Sequence, residues 1–175
     1  MNARARAMVI IAAVVILDRL TKMYVQMVFA PWDVTPVIQG FFNIVHTENP
    51  GAAFGMLAES PGNWRGLLLI AVSLAVMSVI GVMLWRPGSA GVPDTTLVHV
   101  GLALVFGGAL GNAWDRLFHG TVTDFLQFFF GAYEFPSFNA ADSAITIGAA
   151  LLLLDLWRTR RPHLAPHEAS QKPVP

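Results

Sequence analysis

The chain has 175 residues, of which 55% are hydrophobic and 13% are charged. Soluble domains carry about 25% charged residues, so this composition indicates a protein that lies largely in lipid. The formal net charge is zero, so no basic field suggests nucleic acid as a partner. There is no cysteine, which excludes disulfides and thiol catalysis.

Four segments are apolar enough to be predicted membrane spans, since a transmembrane helix needs about 20 mostly apolar residues. They lie at about 7–29, 66–85, 96–114 and 138–157. We therefore expect a single membrane-embedded domain over residues 1–157, followed by a tail over 158–175. The tail is rich in proline, which predicts disorder.

The first span is the least regular, because Asp18, Arg19 and Lys22 interrupt its apolar run. Arg4 and Arg6 precede a short apolar core, a pattern that is also typical of a cleavable signal peptide. No small-x-small cleavage site follows, and the charged residues stand where such a site would be. We therefore expect an uncleaved first span.

The basic residues predict the orientation, since cytoplasmic loops are enriched in Lys and Arg. Seven of the 11 basic residues fall on one predicted side of the membrane: Arg4, Arg6, Arg86, Arg158, Arg160, Arg161 and Lys172. Both termini should then be cytoplasmic, and the connections 30–64 and 115–137 should face outward.

The two outward connections differ in composition. Residues 34–47 are rich in β-branched and aromatic side chains around Gly40, which predicts a small antiparallel sheet with a turn. Residues 125–135 hold a row of aromatic side chains, which suits a loop or short helix at the bilayer interface. The predicted fold is an all-α membrane protein of four transmembrane helices with a small extracytoplasmic β-sheet.

Several polar residues lie in or beside the predicted spans, where charges are costly and often functional. Asp18 and Lys22 can pair at i,i+4, either as a structural ion pair or in support of a site. Asn112 and Arg116 share one helix face after a glycine-rich stretch. That stretch favours close helix packing, so both structural and functional readings stay open.

Asp124 and Asp142 are the candidate catalytic pair. Asp124 lies in a β-like stretch after the third span, and Asp142 lies at the start of the fourth, where Asn139 can cap the helix. Two close carboxylates tend to share one proton. The ionised acid can then activate a water, and the protonated acid can polarise a carbonyl group.

Other chemistries have weaker support in the sequence. The five histidines are scattered and form no HExxH motif, so we expect no metal and no cofactor. There is no G-x-S-x-G nucleophile motif either.

Several motifs occur in the order found in one known family. They are DRLTK at 18–22, NPGAAFG at 49–55, GGALGNAWDR at 107–116, VTDF at 122–125 and FNAADSA at 138–144. Together they resemble bacterial lipoprotein signal peptidase, also called signal peptidase II, over residues 8–157. Thr123 departs from the aliphatic residue expected in the VTDF motif.

The resemblance implies a monomeric aspartic endopeptidase of the bacterial inner membrane. Such enzymes remove signal peptides from diacylglyceryl-modified prolipoproteins, cleaving before the lipid-modified cysteine near the outer face of the membrane. It implies Asp124 and Asp142 as the catalytic pair. The implied surrounding residues are Asp18, Lys22, Asn49, Gly108, Asn112, Arg116 and Asn139.

Two alternatives remain at this point. A proton-coupled transporter could use the same acids as a relay, although it would favour midplane carboxylates and repeated halves. A membrane assembly factor could use the same polar residues for packing alone.

Overall fold

A computed structural model describes residues 1–51, 64–86 and 95–159, and within these ranges the chain forms helices and one antiparallel sheet. The helices are α1 (Ala3–Val28), α2 (Trp64–Trp85), α3 (Thr96–His119) and α4 (Ala140–Thr159). The strands are β1 (Val34–Ile38), β2 (Phe42–Asn49), β3 (Val122–Phe130) and β4 (Tyr133–Phe138). Most of the predicted tail, 160–175, lies outside the described residues.

Local hydrogen bonds set both ends of α3. The Thr95 hydroxyl accepts a hydrogen bond from the Val98 amide at the start, and Gly120 ends the helix in the left-handed conformation at φ 79°. Both are standard helix-capping arrangements. The helix therefore runs past the predicted end at 114 to His119, which places Asp115 and Arg116 on its last turns.

Helix α3 lies at the centre of the helical part and packs against α4, α1 and α2. Among the described residues, the helices long and apolar enough to cross a membrane are α3, α4 and residues Gly66–Trp85 of α2. Helix α1 is 26 residues long but falls outside that set. The four predicted spans thus correspond to four helices, of which three have the composition of a span.

The sheet has the strand order β1-β2-β3-β4, and neighbouring strands are antiparallel. Gly40, with φ 74°, lies between β1 and β2, as expected for a turn that needs a residue with positive φ. The predicted hairpin in the first outward connection is therefore confirmed.

The prediction for the second outward connection, an interfacial aromatic loop or helix, is wrong. Residues of this connection form β3 and β4, which join the same sheet, with Gly131 at φ 66° in the turn between them. The aromatic side chains pack across strands: the rings of Phe42 and Phe128 stack with centroids 4.7 Å apart. Cross-strand aromatic pairs stabilise sheets, so this composition favoured strands as much as an interfacial loop.

Candidate active site

Asp124 on β3 and Asp142 on α4 are joined by a single residue, Asn139. The Asn139 side-chain amide donates to Asp124 Oδ1 at 2.7 Å, and its backbone N–H donates to Asp142 Oδ2 at 3.3 Å. In return, Asn139 Oδ1 accepts from the Asp142 amide at 3.0 Å. This is the reciprocal capping arrangement predicted at the start of α4, and it brings the predicted acids to one site.

Each acid also accepts a hydrogen bond from a second asparagine. Asn49, at the end of β2, donates to Asp124 Oδ2 at 3.0 Å. Asn112, on α3, donates to Asp142 Oδ1 at 2.7 Å. Three asparagine side chains therefore orient the two carboxyl groups without neutralising them.

Burial sets the electrostatics of Asp124, whose side chain is 3% exposed. Loss of hydration and the negative charge of Asp142 raise its pKa, whereas the bonds from Asn49 and Asn139 and the charge of Lys22 lower it. Burial is the largest of these effects, and the resulting pKa is about 6. An acid tuned toward neutral pH beside a second acid is an arrangement suited to proton transfer.

Lys22 is the hub of a buried ionic network behind Asp142. Its ammonium group lies 2.8 Å from Asp18 Oδ2, 2.7 Å from Asp115 Oδ2 and 3.0 Å from Asn112 Oδ1. The predicted i,i+4 pair of Asp18 and Lys22 is confirmed, and both side chains are fully buried. Because Lys22 donates to the oxygen of the Asn112 amide, the nitrogen of that amide points to Asp142.

Asp18 also connects α1 to the first turn of α4, since its Oδ1 accepts from the Ala141 amide at 3.0 Å. Glycines on α3 allow this close approach. A Cβ on Gly108 would collide with the Ala141 carbonyl oxygen, and a Cβ on Gly111 would lie 2.6 Å from Asp18 Oδ2. Gly108 therefore contributes to the site by having no side chain, which lets α3 approach the first turn of α4.

Arg116 lies one turn beyond Asn112 on α3, and its Nη1 donates to the Asn112 carbonyl at 3.4 Å. Its guanidinium interacts electrostatically with the carboxylates of Asp142, Asp124 and Asp115. A fixed positive charge beside two acids favours negative charge that develops between them.

The site therefore contains all the residues that the sequence indicated, together with some that it did not. Asp115 pairs with Arg19 as well as Lys22, and it was not among the residues singled out from the sequence. Glu48 and Gln26 contact β3 next to Asp124 and were not singled out. Glu48 stands beside Asn49 in the second motif, a signal that could have identified it.

Metal-ligating residues do not cluster in the described ranges: no group of three or more His, Asp or Glu side chains there is placed to hold an ion. The chemistry offered by the described residues is that of paired carboxyl groups and amide donors.

The sequence pattern of the family described as signal peptidase (SPase) II matches residues 10–158. The lipoprotein signal peptidase of Solibacter usitatus is 43% identical over 158 residues, covering 90% of this chain and 94% of the relative. That of Maridesulfovibrio salexigens is 37% identical over 160 residues, covering 91% of this chain and 100% of the relative.

A solved structure described as a bacterial membrane enzyme is similar across the whole fold. It superposes with a TM-score of 0.77 at 28% sequence identity, covering 98% of this chain and 95% of that chain. A second structure with the same description has a TM-score of 0.75 at 31% identity, covering 87% of this chain and 92% of that chain.

Proposed function

The chain belongs to the signal peptidase II family, and we propose that it removes signal peptides from prolipoproteins with Asp124 and Asp142 as a catalytic pair. As a member of this family it is a peptidase, and its apolar helices fit a bacterial membrane protein. The observation that carries the catalytic assignment is the bridge from Asn139 to both acids.

The proposed reaction uses one ionised and one protonated carboxyl group. The ionised acid takes a proton from water as the water oxygen bonds to the carbonyl carbon of the scissile peptide. The protonated acid gives its proton to the carbonyl oxygen. The acid that took the proton from water then gives it to the amide nitrogen as the C–N bond breaks. The other acid takes a proton from a hydroxyl of the tetrahedral intermediate as the C=O bond of the new carboxyl group forms, which restores one ionised and one protonated acid.

The surrounding side chains supply orientation and charge. Asn139 and Asn49 hold Asp124, and Asn112 holds Asp142. Lys22 and Asp18 fix Asn112 and the start of α4. Arg116 provides positive charge near the carbonyl oxygen as negative charge develops there.

The family membership supports a proposal for the substrate and its location. We propose a diacylglyceryl-modified prolipoprotein, cut before the lipid-modified cysteine, as substrate. The proposed enzyme is a monomer of the inner membrane, surrounded by lipid, with four spans and a single domain over residues 1–157. Both termini would be cytoplasmic, with the dyad near the outer face.

The relay alternative is not favoured, because a transporter would place its acids within the bilayer midplane. Here Asp142 is in the first turn of α4 and Asp124 is on a strand. That placement suits a substrate held at a membrane surface.

The test is cleavage of a lipid-modified prolipoprotein by the purified protein in lipid vesicles, with product masses determined. We expect a signal peptide that ends immediately before the modified cysteine, unchanged by a metal chelator. Asp124→Asn should bind the same substrate and release no peptide within the wild-type reaction time. Absence of cleavage by wild type contradicts the function, and efficient cleavage by Asp124→Asn contradicts the aspartic chemistry.

A further inference from the structure

A second polar cluster lies on the face of β3 that points away from Asp142. The Thr123 hydroxyl accepts from the Gln26 side-chain amide at 2.7 Å and donates to Glu48 Oε1 at 3.0 Å. These bonds run in one direction, from α1 through β3 to β2. Thr123 is 2% exposed, so its hydroxyl would be costly there without these partners.

Strand alternation explains why this cluster is separate from the acids. Successive side chains of a strand point to opposite faces, so Thr123 lies on the face of β3 opposite to Asp124. Glu48 is the cross-strand partner of Thr123, and it accepts from the Thr121 hydroxyl at 2.6 Å as well. One carboxylate thus binds the hydroxyl of Thr123 on β3 and the hydroxyl of Thr121, which directly precedes the strand.

His46 fixes Glu48 from the other side. Its Nδ1 lies 2.8 Å from the Phe29 carbonyl oxygen and its Nε2 lies 3.1 Å from Glu48 Oε1. The Phe29 carbonyl oxygen and the Glu48 carboxylate both only accept hydrogen bonds, so each contact is a hydrogen bond where the ring nitrogen that faces it carries a proton. The cluster is therefore anchored to the residue that follows α1.

The pairing of β2 with β3 is irregular at this point. The register shifts between Ile44 and Thr47, and regular pairing resumes at Thr47 opposite Asp124. The backbone ladder alone therefore holds Asp124 less firmly than a continuous ladder would. The bonds of Glu48 to the two threonines link the strands directly after this irregularity.

We propose that Thr123 and Glu48 are positioning residues, which hold β3 so that Asp124 meets Asn49 and Asn139 in the geometry needed for peptide cleavage. The inference rests on the proposed function. Thr123 stands where the family resemblance leads one to expect an aliphatic side chain.

The test compares two substitutions of one hydroxyl in the prolipoprotein cleavage assay. Thr123→Val keeps the shape and removes both bonds, and we expect kcat to fall about tenfold with KM within about twofold. Thr123→Ser keeps the hydroxyl and should restore kcat to within about twofold of wild type. Rates are measured well below the unfolding temperature of every variant.

Asn43→Ala is the matched control, because Asn43 donates to Gln127 Oε1 at 3.0 Å across the same two strands. This substitution removes a side-chain hydrogen bond between β2 and β3 at Gln127, three residues after Asp124, and should leave kcat unchanged. Glu48→Gln changes the carboxylate that accepts from the Thr123 hydroxyl, and so perturbs the same cluster from β2. Its effect should be less than additive with that of Thr123→Val, since both break one network.

The outcomes separate this inference from the function on which it rests. A wild-type kcat in Thr123→Val overturns the positioning role alone, and so does an equal loss in Thr123→Ser. A loss of the same size in Asn43→Ala would also overturn it, because any weakening of the strand pair would then suffice. If wild type cleaves no prolipoprotein, the proposed function falls, and this inference falls with it.

Discussion

Two buried or half-buried aspartates stand near opposite ends of α4, and they make different kinds of contact. Asp155, near the last turn, is 4% exposed and accepts from the Thr95 hydroxyl at 2.6 Å. That hydroxyl also caps the start of α3 by accepting from the Val98 amide. Asp142, in the first turn, shares Asn139 with a second carboxyl group.

The comparison shows that burial of an aspartate does not by itself indicate whether its role is structural or catalytic. Asp155 completes a helix cap, and its contact ties the N-terminus of α3 to α4. Asp142 lies where another acid interacts with it electrostatically, and the pKa of that acid, Asp124, is raised to about 6. A pair whose protonation states can differ near neutral pH is suited to acid–base chemistry.

At both ends of α4, glycines allow close packing against α3. Toward the Asp155 end, a Cβ on Gly101 would lie 2.9 Å from the Gly148 carbonyl oxygen, and a Cβ on Gly148 would lie 2.6 Å from that of Gly101. Toward the other end, Gly108 has the same relation to Ala141. Close approach of α3 to α4 is therefore a property of the whole helix pair, and among the residues that the structure describes a second acid joins the aspartate only at the Asp142 end.

The largest expected effect separates the two aspartates directly. Asp142→Asn should lower the cleavage rate by about 10³-fold, as expected for the loss of a general acid or base. Asp155→Asn should leave the rate within about threefold of wild type and reduce stability by about 1–2 kcal/mol. Equal cleavage rates for the two variants would contradict the assignment of a catalytic role to Asp142 and a structural role to Asp155.

The next effect concerns the ionic network behind Asp142. Lys22→Met leaves the buried carboxylates of Asp18 and Asp115 without their shared cation, so we expect a loss of about 3–5 kcal/mol in unfolding free energy. Arg4→Met is the matched control at the other end of α1, where Arg4 donates to the Trp85 carbonyl at an exposed site.

Reversible unfolding in detergent measures both variants. The control should lose less than about 1 kcal/mol. If Arg4→Met loses as much as Lys22→Met, the network has no special role in holding the helices.

The third effect is a pH dependence. An acid whose pKa is raised to about 6 keeps its proton below that pH and releases it above. Asp124 then lacks the proton that the carbonyl oxygen needs. We therefore expect kcat/KM to fall as pH rises above about 6, approaching tenfold for each pH unit.

The measurement is kcat/KM between pH 5 and 8 at substrate concentrations below KM, which reports on the free enzyme. Bound substrate removes more water from the site, which further disfavours the charged carboxylate. The fall in kcat should therefore begin at a higher pH than the fall in kcat/KM. A kcat/KM that rises steadily across this range would contradict the assignment.

The sequence predicted those features that depend on neighbours along the chain. The pairing of Asp18 with Lys22 and the capping of α4 by Asn139 each span three or four residues, so helix geometry alone defines them. The positions of Asp124 and Asp142 made them candidates, and the family resemblance implied the same pair.

Features that depend on distant segments were missed. The aromatic residues of β3 are compatible with an interfacial loop, and only pairing with β2 makes them a strand. The bond from Lys22 to Asn112 joins residues 90 positions apart, and that from Thr123 to Glu48 joins residues 75 positions apart. No local periodicity reports such contacts.

The pairing of the two acids is tested most directly by the single-turnover cleavage rates of Asp124→Asn, Asp142→Asn and the double variant. Residues that act as one unit give losses that do not multiply. We predict that each single variant loses about 10³-fold and that the double variant is no slower than the slower single one. A double variant whose loss equals the product of the single losses would contradict the shared mechanism, as would a single variant that cleaves at the wild-type rate.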